Sequence, residues 1–153
     1  MSEQAKTSQR PADVYFFATC VVDQFFPGAG IDAITLLERL GIRVHFPEDQ
    51  TCCGQPAYTS GFPDAARKVA AQQLTLFPKD WPVVVPSGSC AGMMKHHYPT
   101  LFAADPQRKA KAEALSARIY EFTDFLVNVL GWQPEDKGSE CTVVLHTSCS
   151  ARR

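Results

Sequence analysis

The stretch Val14-Tyr15-Phe16-Phe17-Ala18-Thr19-Cys20 decides the fold. An unbroken apolar run from Val14 to Ala18 has the length and residue types of a strand buried on both faces, as in a parallel sheet covered by helices on each side. The run ends in a hydroxyl and then a thiol. Ile42-Arg43-Val44-His45-Phe46 alternates like a strand and stops at Pro47, a few residues before Thr51-Cys52-Cys53-Gly54. Pro82-Val83-Val84-Val85-Pro86 leads into Ser87-Gly88-Ser89-Cys90, and Thr142-Val143-Val144-Leu145 into His146-Thr147-Ser148-Cys149. Each of the four expected strands therefore runs toward cysteine.

Helical patterns fill the intervals. Pro27-Gly28-Ala29-Gly30 reads as a turn, after which Ile31, Ile34, Leu37 and Leu40 recur at helical spacing up to the stop residue Gly41. A second helix opens at Gly61-Phe62-Pro63-Asp64, carries Ala66, Val69, Ala70, Gln73, Leu74 and Phe77 on one face, and closes at Pro78. One or two helical turns are expected over 91–99 and a polar helix over 106–117. An amphipathic helix over 119–130 would bury Phe122, Phe125, Leu126 and Val129. Short strands alternating with helices predict an α/β layered sandwich with a mostly parallel sheet. In such sheets the functional loops lie beyond the carboxyl ends of the strands, where these cysteines stand.

The bulk numbers remove several classes. With 153 residues the chain can bury a core without staples. A net charge of -1 gives no electrostatic reason to expect nucleic acid or an anionic membrane as partner. No apolar run approaches the roughly 20 residues that span a bilayer. Met1 to Arg10 is polar and lacks the apolar centre of a signal peptide, so the expected location is the cytoplasm. In that reducing compartment the 6 cysteines are not disulfides, which leaves metal binding, redox chemistry or burial.

Between Cys20 and the adjacent pair Cys52-Cys53 lie 31 residues, and between the pair and Cys90 lie 36. On a strand two successive side chains face opposite ways, whereas in a loop they can converge on one soft metal centre. Gly54 supplies the backbone angles for such a loop. Iron–sulfur clusters are usually held by four thiolates. Zinc takes the same ligands, and spacing alone does not separate the two. Thr19, Thr51, Ser87 and Ser89 offer hydrogen bonds to sulfur, while Gly54, Gly88 and Gly92 let backbone amides approach.

The remaining candidates divide less sharply. Cys141 reads as a small buried hydrophobe. His96 and His97 are read as partly exposed helix residues, with a nitrogen ligand or proton donor as the sharper alternative. His45 is structural. Asp23 and Gln24 are either polar neighbours of a cluster or solvated loop residues, and Phe25 and Phe26 either core or an apolar surface for a partner. Gly28-Ala29-Gly30 follows Phe25-Phe26-Pro27 rather than a strand and lacks a third glycine, which argues against a dinucleotide site. A thiol–disulfide enzyme would ordinarily carry Cys-x-x-Cys, which does not occur here.

Taken together, Cys20, Cys52-Cys53-Gly54 and Cys90 resemble the first half of the cysteine-rich CCG-domain family. That family includes lactate utilization protein A, the iron–sulfur subunit of glycolate oxidase and a subunit of heterodisulfide reductase. Ser87-Gly88-Ser89-Cys90 and Cys52-Cys53-Gly54-Gln55-Pro56-Ala57-Tyr58 are similar to the lactate utilization branch. The family pattern ends in Cys-x-x-Cys; here Met93 stands where the last cysteine would be. Members carry the motif twice, and His146-Thr147-Ser148-Cys149 resembles the opening of a second copy.

Residues 1–12 read as a polar, disordered leader. The resemblance implies a first CCG-type α/β domain over 13–133, and over 134–153 a linker with the first strand of a truncated second domain. It implies a cluster of 4Fe-4S type, cubane or non-cubane, at Cys20, Cys52, Cys53 and Cys90, with Cys149 belonging to a second site. The implied role is electron transfer in a complex oxidising L-lactate, or a related 2-hydroxy acid such as glycolate, beside a larger iron–sulfur subunit and a third subunit. The rival reading is a non-catalytic cysteine-rich module with structural zinc or free thiols, used for complex assembly.

Overall fold

The computed structural model describes residues 10–135 together with Gly138, Cys141, Thr142 and Val144. Strand β1 (Asp13–Phe16) pairs in parallel with β2 (Arg43–His45) on one side and β3 (Val83–Val85) on the other, and β4 (Ile119–Glu121) pairs in parallel with β3. The order is β2-β1-β3-β4. The expected α/β class with a parallel sheet is therefore what the chain adopts.

Side-chain alternation along the strands explains the layers. Val14 and Phe16 of β1 and Val84 of β3 face α2 (Pro27–Arg39) and the C-terminal helical segment, in a core with Ala33, Leu37, Ile42, Phe125 and Leu126. Tyr15, Phe17, Val83 and Val85 face the opposite way, into a second core with residues of α4 (Pro63–Gln73) and of the helices that follow β3. Val14, Phe16 and Phe17 have no exposed surface, as a central strand covered on both faces requires.

Between β1 and α2 lies α1 (Cys20–Phe25), and between β2 and α4 the short α3 (Gln55–Thr59). After β3, α5 (Gly88–Gly92), a π-helical turn (Met93–His97) and α6 (Tyr98–Leu101) run on as a helical rod over 88–101. Pro99 explains the widening. It has no N–H for the carbonyl four residues back, and its ring would crowd that carbonyl in a regular turn. A further helix, α7 (Pro106–Ser116), starts with Pro106 behind an Asp105 cap that accepts from Arg108 N–H.

Several expectations are corrected. Residues 119–121, expected to open a helix, form β4. Ile119 is fully buried beside β3, and burial of a β-branched residue on a pleated surface overrides its helical spacing. The helix begins one step later, as α8 (Phe122–Asp124) running into a π-helical turn (Phe125–Val129), because the Glu121 carboxylate caps Thr123 N–H at 2.8 Å and Asp124 N–H at 3.1 Å. The expected strand over 142–145 and Cys149 fall largely outside the described residues. β4, a strand not among the four expected, leads into a helix. Pro27-Gly28-Ala29-Gly30, expected as a turn, is the first turn of α2, with Pro27 at its opening position where the missing N–H costs nothing. Cys141, expected to be buried, is exposed.

Candidate functional site

The carboxyl ends of β1, β2 and β3 carry the chain into Cys20, Cys52-Cys53 and Cys90. Neither Cys20 nor Cys90 lies in a loose loop. Cys20 is the first residue of α1, whose Thr19 cap accepts from Val22 N–H at 3.4 Å, and Cys90 sits in the first turn of the rod over 88–101. Cys52-Cys53 occupies the turn before α3. There Gly54 adopts a left-handed φ of 85°, and a Cβ on it would lie 3.2 Å from the Ala66 carbonyl oxygen. Glycine is required at that position.

The thiols meet. Cys20 Sγ lies 3.9 Å from Cys52 Sγ, Cys53 and Cys90 are close enough to influence each other's ionisation, and the charges of Cys52 and Cys90 are both felt at Cys20. Gly54 N–H donates to Cys52 at 3.4 Å, while the backbone N–H groups of Val21 and Gln55 favour the thiolate forms of Cys20 and Cys53. The Ser87 and Ser89 hydroxyls, 3.3 Å from each other, favour the thiolate form of Cys90. Cys53 and Cys90 are buried, Cys20 and Cys52 half-buried.

Ionisation follows from these contacts. Cys90 is lowered to about 7, first by the Cys53 thiol and then, against burial, by the two serine hydroxyls. Cys53 is raised, because its proton is the one shared with Cys90 and because it is buried. Cys20 is raised by burial and by the charge of Cys52. The buried phenol of Tyr98, raised by burial and by the neighbouring thiols, donates to the Cys53 carbonyl at 2.9 Å.

Two glutamines and this tyrosine, which sequence reading passed over, hold the double-cysteine turn. Gln50 Nε2 donates to the Phe16 carbonyl at 3.0 Å and its Oε1 accepts from Ala18 N–H at 3.1 Å. Gln73, fully buried on α4, donates to Thr51 Oγ1 at 2.6 Å. Helical spacing puts Gln73 on the buried face, a polar residue among alanines, and that is the one available signal.

Other sequence candidates sit apart from the sulfurs or serve packing. Met93 is buried in the same apolar core as Cys53 and Cys90. His97 packs its ring 4.7 Å from that of Tyr58, while His96 is exposed. His45 binds Asp13 at 2.8 Å and stacks 4.3 Å from Trp81, which is a structural use. Asp23, Gln24, Phe25 and Phe26 are all exposed, so the two phenylalanines are surface and not core.

Among the described residues no three His, Cys, Asp or Glu side chains close on a point as a preformed single-ion cage would. The fit to an inorganic group therefore rests on donor chemistry. Four thiols gathered from three strand ends, one of them accepting from Gly54 N–H and the others beside polar groups that favour the thiolate, suit a thiolate-bound group whose negative charge needs such neighbours. The residues fit an iron–sulfur cluster.

The fold and these thiols define a class: a parallel α/β protein with a cysteine cluster at the carboxyl edge of its sheet. The chain belongs to the cysteine-rich domain family CCG, which it matches over residues 14–95. It is 46% identical over 142 residues to lactate utilization protein A of Geobacillus kaustophilus (strain HTA426), covering 92% of this chain and 58% of that one. It is also 46% identical over 143 residues to the protein of the same name from Shouchella clausii (strain KSM-K16), covering 92% and 59%. The Bacillus subtilis (strain 168) protein of that name is 46% identical over 140 residues, covering 92% and 58%. The chain thus spans about 58% of the length of the curated relatives it matches. Among the described residues no helix is long and apolar enough to cross a membrane.

Proposed function

We propose that Cys20, Cys52, Cys53 and Cys90 hold an iron–sulfur cluster, of 4Fe-4S or a non-cubane type, in a protein that takes part in lactate utilization. The observation that carries the reading is the gathering of four thiols where three strand ends converge, with Cys20 and Cys52 3.9 Å apart and Gly54 N–H donating to Cys52. When bound, such a cluster accepts and releases single electrons, at a potential set by hydrogen bonds to sulfur and by burial. The protein's own part is to hold four thiolates, to share the Cys53 proton with Cys90 while the site is metal-free, and to keep water from Cys53 and Cys90. The names of the relatives support lactate as the substrate of the whole system; glycolate, a related 2-hydroxy acid, is the alternative.

On this reading residues 13–133 form one CCG-type unit, and 134–153 open a second unit whose site would include Cys149. The protein works in the cytoplasm beside a larger iron–sulfur subunit and a third subunit, and oxidises L-lactate to pyruvate only in their company. Anaerobic purification followed by iron and acid-labile sulfide assay tests the proposal. Both elements should be present and should be lost on Cys52→Ser or Cys90→Ser. A correctly folded protein with neither element, or with stoichiometric zinc and no visible absorption, would sink it and leave the assembly module standing.

A further inference from the structure

We infer that Gln50 is the positioning residue for the Cys20–Cys52 pair. Strand β1 outruns its neighbour: β2 ends at His45 and Pro47 follows, while the chain past Phe16 runs on to Thr19, which is still extended at φ -69° and ψ 145°. On the β3 side that continuation is paired, since Phe17 N–H donates to the Val84 carbonyl at 2.9 Å. On the β2 side the Phe16 carbonyl and the Ala18 N–H face no strand. The Gln50 amide fills this gap with one donor and one acceptor, at 3.0 and 3.1 Å. It substitutes for a peptide group of the departed strand.

The consequence for the thiols follows from counting along the chain. Cys20 comes two residues after Ala18, and Cys52 comes two residues after Gln50. The amide therefore ties together the two segments at equal distances from their sulfurs, which stand 3.9 Å apart. Asparagine falls one methylene short of both backbone groups. Glutamate keeps the length and the acceptor but turns a second oxygen toward the Phe16 carbonyl. The inference deepens the thiolate reading above, and rests on it for the use to which the pair is put, but its geometry is independent of any metal.

The test uses the reduced, metal-free chain and dibromobimane, which becomes fluorescent on bridging two nearby thiols; peptide mapping identifies the Cys20–Cys52 product. Gln50→Ala should lower the initial rate of this cross-link about tenfold, while alkylation by monobromobimane changes little, because two hydrogen bonds to part-buried backbone are lost. Gln50→Glu should lower it as well. Ser116→Ala, which removes the buried bond to the Met94 carbonyl, should reduce the melting temperature without changing the cross-link rate. An unchanged cross-link rate in folded Gln50→Ala would overturn the inference. If that variant does not fold, hydrogen exchange in the unaltered chain decides: a protected Ala18 amide supports the role, and exchange at the free-peptide rate overturns it. A Gln50-dependent cross-link in a protein that takes up no iron or sulfide would keep the positioning role and remove the cluster reading.

Discussion

Cys90 is the residue on which the site's protonation turns. Its thiol is lowered to about 7 while Cys53 is raised, so near neutral pH the pair holds one proton between two sulfurs. A depressed acidic group stabilises the fold above its unfolded value, and that contribution is lost as pH falls through its folded value. The Cys90 share of metal-free stability is thus present above the ordinary thiol range near 9 and gone below about 7. Mass-spectrometric alkylation profiles should show Cys90 ionising with a midpoint near 7, well below Cys53. Ser87→Ala with Ser89→Ala should move that midpoint upward, since two donors to the thiolate are removed. A midpoint that stays put would show that the serines do not serve the sulfur.

The turn before α3 is the element that makes two neighbouring thiols usable at one site. It is held from three sides: by Gln50 to β1, by Thr51 to Gln73, and by the Cys53 carbonyl to Tyr98. Its reversal depends on Gly54. Gly54→Ala combines a left-handed backbone with a Cβ pressed toward the Ala66 carbonyl of α4, at 3.2 Å. We expect a loss of about 1–3 kcal/mol in urea denaturation, with the dibromobimane cross-link between Cys20 and Cys52 reduced alongside. Gly28→Ala, at a helical position with open space around the added methyl, should cost nothing measurable and serves as the reference.

For the whole molecule, the sheet divides two cores that do not share side chains. Ile42 belongs to the core on the α2 face and Ile119 to the core on the α4 face. Ile42→Val and Ile119→Val should each cost about 0.5–1.5 kcal/mol. Their double mutant should equal the sum within about 0.5 kcal/mol, because neither residue shares a packing partner with the other. Chemical denaturation of the four proteins checks this. A large coupling would mean that strain passes through the sheet and that the two faces behave as one core.

Local pattern was enough to identify β1, β2 and β3 as strands, to single out the four cysteines, and to show the family they resemble. Continuous apolar runs and a thiol pair ahead of glycine are readable without knowing what lies beside them. The same reading misassigned Ile119–Glu121, whose fate depended on a vacant position beside β3 that no periodicity records. That the thiols meet is a property of the assembled sheet alone. The order β2-β1-β3-β4 sends successive crossovers to opposite sides of β1, so the chain turns away from itself between β1 and β3 and opens a crevice at their carboxyl ends. Cys20 and Cys90 stand on its two sides, and Gln50 and Tyr98 complete the arrangement through contacts 32 and 45 residues apart in sequence. Such contacts form only once the strands are in place, which is why no reading of local pattern could find them.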